Sequence, residues 1–313
     1  VVGAAVVAVG RTTGRGRWAP LLAAEAATPL VFLATVLALV LALGGRLRIA
    51  ALLAAGLAGE QIHWMRPTLS GRRTSPGPRG DLRVLSANLL CLNAETGGWA
   101  EQIRAERPDV LLLIEASPKS FRPLERTGVL DDFPYRFPFL RVNASGFALL
   151  SRWPADDVHL AVIHDREVLS ARIVVGDRTV HLLGVHTRAP TTRRAAAAWQ
   201  AGLAAIGTAG AAIAGPLIIA GDFNASRDHA PFRTLMATAD LVDAHDEVGA
   251  GLAGTWPADR LLPALLHLDH VLVSRAFRVT AATMGAIPGS DHRWVQADLC
   301  WRAGPAGDQE TPT

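Results

Sequence analysis

Residues 216–224 read PLIIAGDFN. A short apolar run, bounded by Pro216 and Gly221, stops abruptly at Asp222, Phe223 and Asn224. Four to eight apolar residues between turn-forming residues read as a buried strand. A carboxylate set directly against such a run is costly to bury without a partner. The same arrangement recurs along the chain. LRVLSAN (82–88) ends at Asn88, VLLLIE (110–115) at Glu115, and VHLLGVH (180–186) at His186. HLDHVLV (267–273) carries Asp269 within an otherwise apolar run, and Ser290-Asp291-His292 precedes the strand-like WVQADLCW (294–301). FALLS (147–151) is a further apolar run.

Any one of these polar residues reads as a surface cap on a strand. Together they point to one rim. If the strands lie in neighbouring sheets, their ends converge, and converging acids need a counter-charge that a divalent cation supplies. Glu115, Asp222 and Asn88 are hard oxygen donors, which suit Mg2+ or Mn2+. The two cysteines, Cys91 and Cys300, match no metal-binding spacing, so zinc is less favoured. Mg2+ keeps several waters and takes few protein ligands, with a substrate phosphate completing its shell, which suits an open rim.

Two helical stretches interleave with the strands. One starts near Trp99 and carries Ile103; the other runs from Thr191 to Ile206, with Trp199, Leu203 and Ile206 on one face. Residues 81–302 therefore read as a single α/β domain.

The beginning of the chain is different in kind. Half of the 313 residues are hydrophobic and the mean hydropathy is positive. Ala26 to Leu43 form an uncharged run of 18 residues, near the lower limit for a spanning helix. It lies between VVGAAVVAVG (1–10) and a third apolar stretch, Ile49 to Trp64, broken by Glu60. Residues 1–64 are thus expected to form a membrane segment of two helices plus the end of a third. A Pro/Gly/Arg linker is expected over 65–80 and a disordered tail over 303–313.

Charge follows this division. The first 80 residues hold nine Arg against Glu25 and Glu60, whereas 81–302 hold 22 basic and 24 acidic side chains. The basic character belongs to the membrane end. The near-neutral domain gives no general argument for gripping a nucleic-acid backbone, so nucleic acid is not favoured as a partner. The positive-inside rule, applied to Arg11, Arg15, Arg17 and the linker arginines, favours a cytoplasmic domain.

In order, the chain shows SAN (86–88), LIE (113–115), GFALLSR (146–152), GVHT (184–187), GDFN (221–224), LDHVL (268–272) and SDHR (290–293). This series resembles the endonuclease/exonuclease/phosphatase, or DNase I-like, superfamily over roughly 82–300. The resemblance implies a two-sheet β-sandwich flanked by helices, with the active site at one end. It also implies roles residue by residue. Glu115 would bind the metal, assisted by Asn88 and Asp291. Asp222 would orient or deprotonate the attacking water, and Asn224 would position it or the phosphate. His292 would lie against the phosphate, with Asp269 fixing its tautomer, and His186 would donate to a phosphoryl oxygen. His270, next to Asp269 on a strand, should face the other way as a structural residue.

The architecture, together with GTWP (254–257) and PGSDH (288–292), is similar to that of the VanJ-type membrane proteins of actinobacteria associated with teicoplanin resistance. That likeness implies a lipid-linked pyrophosphate, such as undecaprenyl pyrophosphate, as substrate, and a catalytic domain outside the cell membrane. The reading is a membrane-tethered, metal-dependent phosphoric ester hydrolase. A membrane-anchored nuclease and a non-catalytic binding module are the alternatives.

Overall fold

A computed structural model describes residues 2–14, 16–70, 79–252, 254–259 and 264–302. Twelve strands among them form two six-stranded sheets. The first has the order β11-β12-β1-β2-β4-β3, built from β1 (Leu82–Asn88), β2 (Val110–Ile114), β3 (Tyr135–Phe139), β4 (Phe147–Ser151), β11 (Phe277–Ala286) and β12 (Arg293–Trp301). The second has the order β5-β6-β7-β8-β10-β9, built from β5 (Ala155–Ile163), β6 (Arg166–Val175), β7 (Arg178–His186), β8 (Leu217–Asp222), β9 (Leu241–Asp243) and β10 (Asp269–Ser274).

The central strands are buried on both faces, which is why they read as continuous apolar runs. Between the sheets, Val84, Leu112 and Leu149 of one pack with Leu169, Leu182 and Ile218 of the other. The outer face of the first sheet is covered by α5 (Ala100–Glu106) and α6 (Pro118–Glu125), through Ile103, Phe121 and Leu124. The outer face of the second is covered by α7 (Arg193–Ala211) and α8 (Ala230–Thr238), through Trp199, Leu203, Phe232 and Leu235. A short α9 (Ala244–Glu247) follows β9. The result is a helix–sheet–sheet–helix sandwich, as the motif series implies.

Four helices precede the sandwich: α1 (Val2–Thr13), α2 (Ala19–Ala26), α3 (Thr28–Gly44) and α4 (Arg48–Ser70). The helix expected over 26–43 corresponds to α3, which starts at Thr28; α2 precedes it, and the pair is bent by 83° across Ala27. Pro29 at the start of α3 cannot donate back to α2, which fits a break there. No single helix among the described residues is long and apolar enough to cross a membrane; only taken together, across the bend, do α2 and α3 reach the length and composition of a span. The last helix runs to Ser70, past the point where the linker was expected to start. Residues 71–78 and the tail 303–313 lie outside the described residues.

The first helices are docked on the sandwich rather than separate from it. Leu22 of α2 is buried in the same cluster as Trp199 and Phe232. Arg11 forms a buried ion pair with Asp228 at 2.9 Å, and Gln200 of α7 donates to the Gly16 carbonyl at 2.9 Å.

Candidate metal-dependent active site

Strand register assembles the site. The parallel pairing of β7 with β8 sets His186 opposite Asp222, and the antiparallel pairing of β8 with β10 sets Asp222 opposite Asp269. Three chemically active residues thus lie side by side across three adjacent strands. In the other sheet, Asn88 sits opposite Ile114, so the next residue, Glu115, leaves its strand at the same end. Both sheets present these ends to one rim.

Local backbone geometry aims the side chains. Glu115 and Asn224 both hold positive φ, at 55° and 45°. Non-glycine residues seldom adopt that region, and such strain concentrates at functional sites. Each residue turns the chain immediately after a strand, which keeps its side chain at the rim. Gly221, with φ at 143°, passes so close to Val185 that a Cβ would fall 2.0 Å from its carbonyl oxygen. That proximity is what allows Asp222 to stand level with His186.

Hydrogen bonds then fix the groups. The Asn88 amide nitrogen donates to Glu115 Oε1 (3.1 Å) and Asp222 Oδ2 (3.2 Å), while its oxygen accepts from the Leu90 N–H. The Cys91 N–H donates to Glu115 Oε2 (3.1 Å). The Asn224 N–H donates to Asp222 Oδ1 (2.8 Å), and its side chain donates to the Thr187 carbonyl. His186 Nδ1 donates to the Ala144 carbonyl at 2.9 Å, which leaves Nε2 facing Asp222 (3.6 Å) and Glu115 (3.8 Å). His292 Nδ1 donates to Asp269 Oδ2 at 2.8 Å, and its Nε2 faces Asp222 at 3.8 Å.

Electrostatics separates His292 from an ordinary imidazole. Burial works against a charge on His292, but Asp269 and Asp222 outweigh it and raise its pKa to about 10. His292 is therefore an imidazolium at neutral pH, with its Nε2–H available to an anion. Burial, partly offset by His292, pushes the Asp269 carboxyl above its usual range.

The structure brings together Asn88, Glu115, His186, Asp222, Asn224, Asp269 and His292. The Asp291 carboxylate accepts from the Trp256 indole at 3.1 Å and contributes to the field on His292. Ser290, inside a motif read only for Asp291 and His292, ties the ends of the neighbouring strands β1 and β12 together. Its hydroxyl donates to the Asn88 carbonyl (2.8 Å) and accepts from the His292 N–H (3.1 Å). Thr255, which accepts from the Leu268 and Asp269 N–H groups, has no sequence signal beyond its place in GTWP. His270 lies on the opposite face, bonded to Asp243 and the Ala225 carbonyl.

The donor set fits a hard divalent cation. Glu115, Asp222 and Asp269 crowd the rim, and the Asn88 amide dipole and one imidazolium are too little positive charge for three carboxylates. Two placements compete. Atoms of Asp222, Asp269 and His292 lie within 4.8 Å of one another. Using them would require His292 to give up its Nε2 proton, against the charge state just described. At the other end Glu115 offers carboxylate oxygens, whereas the Asn88 amide, whose nitrogen points at Glu115 and Asp222, would have to turn its oxygen inward to join it as a ligand.

Residues 85–292 match the model of the Endonuclease/Exonuclease/phosphatase family. Among solved structures, the chain is similar to an endonuclease/exonuclease/phosphatase from Beutenbergia cavernae DSM 12333, with TM-score 0.58 and 21% identity over 72% of this chain and 73% of that one. It is similar to the 3′ phosphatase NExo from Neisseria, bound to a product DNA hairpin, with TM-score 0.55 and 20% identity over 70% of this chain and 100% of that one. It is also similar to the sphingomyelinase C of Streptomyces griseocarneus, with TM-score 0.51 and 18% identity over 71% of this chain and 99% of that one. None of the curated proteins matches the chain.

Proposed function

We propose that this chain, which belongs to the endonuclease/exonuclease/phosphatase family, is a membrane-tethered, Mg2+-dependent enzyme that hydrolyses a phosphate or pyrophosphate ester of a lipid carrier. Its general class, a metal-dependent phosphoric ester hydrolase, follows from the family and the assembled rim. The lipid substrate, Mg2+ and the membrane go further: Mg2+ rests on the hard oxygen donors of the rim, and one observation carries the lipid and the membrane. Helices α3 and α4 leave a large apolar surface uncovered, with Leu33, Leu37, Leu41, Ile49 and Leu52 each more than half exposed. Soluble proteins seldom leave so much contiguous apolar surface open, and a bilayer is the natural cover.

The residues divide the chemistry between them. A cation held by Glu115 and Asn88, with Asp291 as the further candidate ligand, would polarise the phosphoryl oxygens and neutralise developing charge. Asp222, anchored through one oxygen by the Asn224 N–H, is placed to orient or deprotonate the attacking water. Asn224 positions that water or the phosphate. The imidazolium of His292 sets its Nε2–H against a phosphoryl oxygen, with Asp269 behind it holding tautomer and charge. His186, fixed by the Ala144 carbonyl, presents Nε2 to the same space.

The catalytic domain is placed on the extracytoplasmic side, where lipid-linked pyrophosphates of cell-wall synthesis are found in the proteins this architecture resembles. The runner-up is an anchored nuclease, which the DNA-bound phosphatase of similar fold keeps in view. The test gives the full-length chain, in detergent with Mg2+, undecaprenyl pyrophosphate and supercoiled DNA side by side. Phosphate release that falls by roughly 10²–10⁴-fold in Asp222→Asn supports the lipid reading. Nicking without phosphate release replaces it with the nuclease.

A further inference from the structure

A cavity of ≈ 550 Å³ opens beside the rim, and its two ends differ in chemistry. At one end lie Asn224 and His292, both assigned above to the phosphate. Away from them the walls are apolar. One wall is α2, through Ala19, Ala23 and Ala26, which share a helix face at i, i+4, i+7 spacing. Leu266 and Leu268 form the facing wall. A second cavity of ≈ 140 Å³ shares Ala26 and reaches Leu30 on α3, beside the uncovered apolar helix surface. The volume lies in the range, about 300–1,000 Å³, that encloses a small ligand or a segment of a longer one.

The geometry points to a binding site for the aliphatic chain esterified to the substrate phosphate, made jointly by α2 and the catalytic sandwich. This rests on the lipid-phosphate reading and adds to it a location and a selector. A phosphate seated against His292 leaves its ester oxygen at the mouth of an apolar slot. A polar or nucleoside substituent on that oxygen would lose hydrogen bonds there, whereas each methylene drawn in adds roughly a fourfold gain in affinity. Helix α2 is held in position by Leu22 and by the His229 ring, whose Nε2 donates to the Leu22 carbonyl at 2.9 Å. The first helices would then form one side of the active-site cleft as well as anchoring the domain.

Ala23 is exposed to the cavity, so a larger side chain there fills the slot without entering the core. The experiment compares kcat/KM for farnesyl and isopentenyl pyrophosphate, which share a head group and differ in chain length. It uses the full-length chain in detergent with Mg2+. The ratio of the two values is independent of how much of each preparation is folded. Ala23→Phe is expected to lower the farnesyl-to-isopentenyl ratio by about tenfold or more. Leu37→Phe, on the exposed face of α3 and outside the cavity, is expected to leave it at the wild-type value. A ratio unchanged by Ala23→Phe, in an enzyme that hydrolyses both compounds, overturns the chain-binding site and spares the lipid-phosphate reading. A wild-type enzyme that releases phosphate from neither compound nor from undecaprenyl pyrophosphate, and nicks DNA, overturns both.

Discussion

At the scale of single residues, the site works by making neighbours cancel each other's cost. Asp269 is fully buried beside Asp222, an arrangement that drives the Asp269 carboxyl to keep its proton. The charged His292 ring between the two stabilises ionised Asp269 and is itself stabilised by both carboxylates. It follows that Asp269 acts through His292, and the two should not contribute independently. Asp269→Asn is expected to lower kcat/KM by about 10²-fold or more. The double variant Asp269→Asn with His292→Ala should lose little beyond His292→Ala alone. Kinetics on the four members of this cycle would check it; additive losses would mean that Asp269 has a role of its own.

At the scale of elements, the sequence was most readable where strands are buried on both faces. The runs at 82–88, 110–114, 147–151 and 217–222 are strands, and each of the four lies inside a sheet rather than at its edge. The edge strands β3, β5, β9 and β11 gave little signal: β5 alternates exposed and half-buried residues, and β9 is three residues long. The site was legible for a related reason. A polar residue after an apolar run stands out, whereas Ser290 and Thr255 do not, because small hydroxyl residues are unremarkable in loops. Nothing in the sequence marked the docking of α2. It depends on His229, a histidine outside every motif, accepting from the Ser226 N–H through Nδ1 and donating to Leu22 through Nε2.

That bonding pattern requires a neutral ring, and burial lowers the His229 pKa to about 4. Above roughly pH 6.5 neither the folded nor the unfolded chain carries the proton. Between there and about pH 4 only the unfolded chain takes it up, so stability falls as pH falls across that window, by about 3 kcal/mol in total. His245 and His267, also lowered by burial, act in the same direction. His270 acts outside this window: Asp243 outweighs its burial and raises its pKa, so its effect lies above about pH 6.5. Compared by chemical denaturation at pH 7 and pH 4.5, His229→Gln is expected to change less unfavourably than the wild type on acidification. An equal loss in the variant would remove His229 from the account.

At the scale of the whole molecule, the chain is a sandwich whose open rim faces the helices that precede it. The positive-inside argument counted Arg11 as a loop charge, yet Arg11 is buried against Asp228 and interacts with the Trp64 ring, so its charge is spent within the protein. This removes one charge from that count, and the extracytoplasmic placement proposed above rests on the likeness of architecture. Trypsin added outside intact spheroplasts should therefore remove the catalytic domain, with its loss followed by immunoblot. Survival of the domain until the cells are lysed would place it inside.

The central claim is that residues from both sheets, Glu115 and Asn88 from one and Asp222, Asp269 and His186 from the other, form a single cation-dependent phosphoesterase centre. The most direct test is a Mg2+ titration of phosphate release by the full-length chain, comparing wild type with Glu115→Gln. The account predicts no release without a divalent cation, saturation by Mg2+ in the wild type, and a variant at least about 100-fold slower that needs more Mg2+ to reach half its own maximum. Release that persists in chelator, or a Glu115→Gln enzyme with the wild-type rate and Mg2+ dependence, would contradict it.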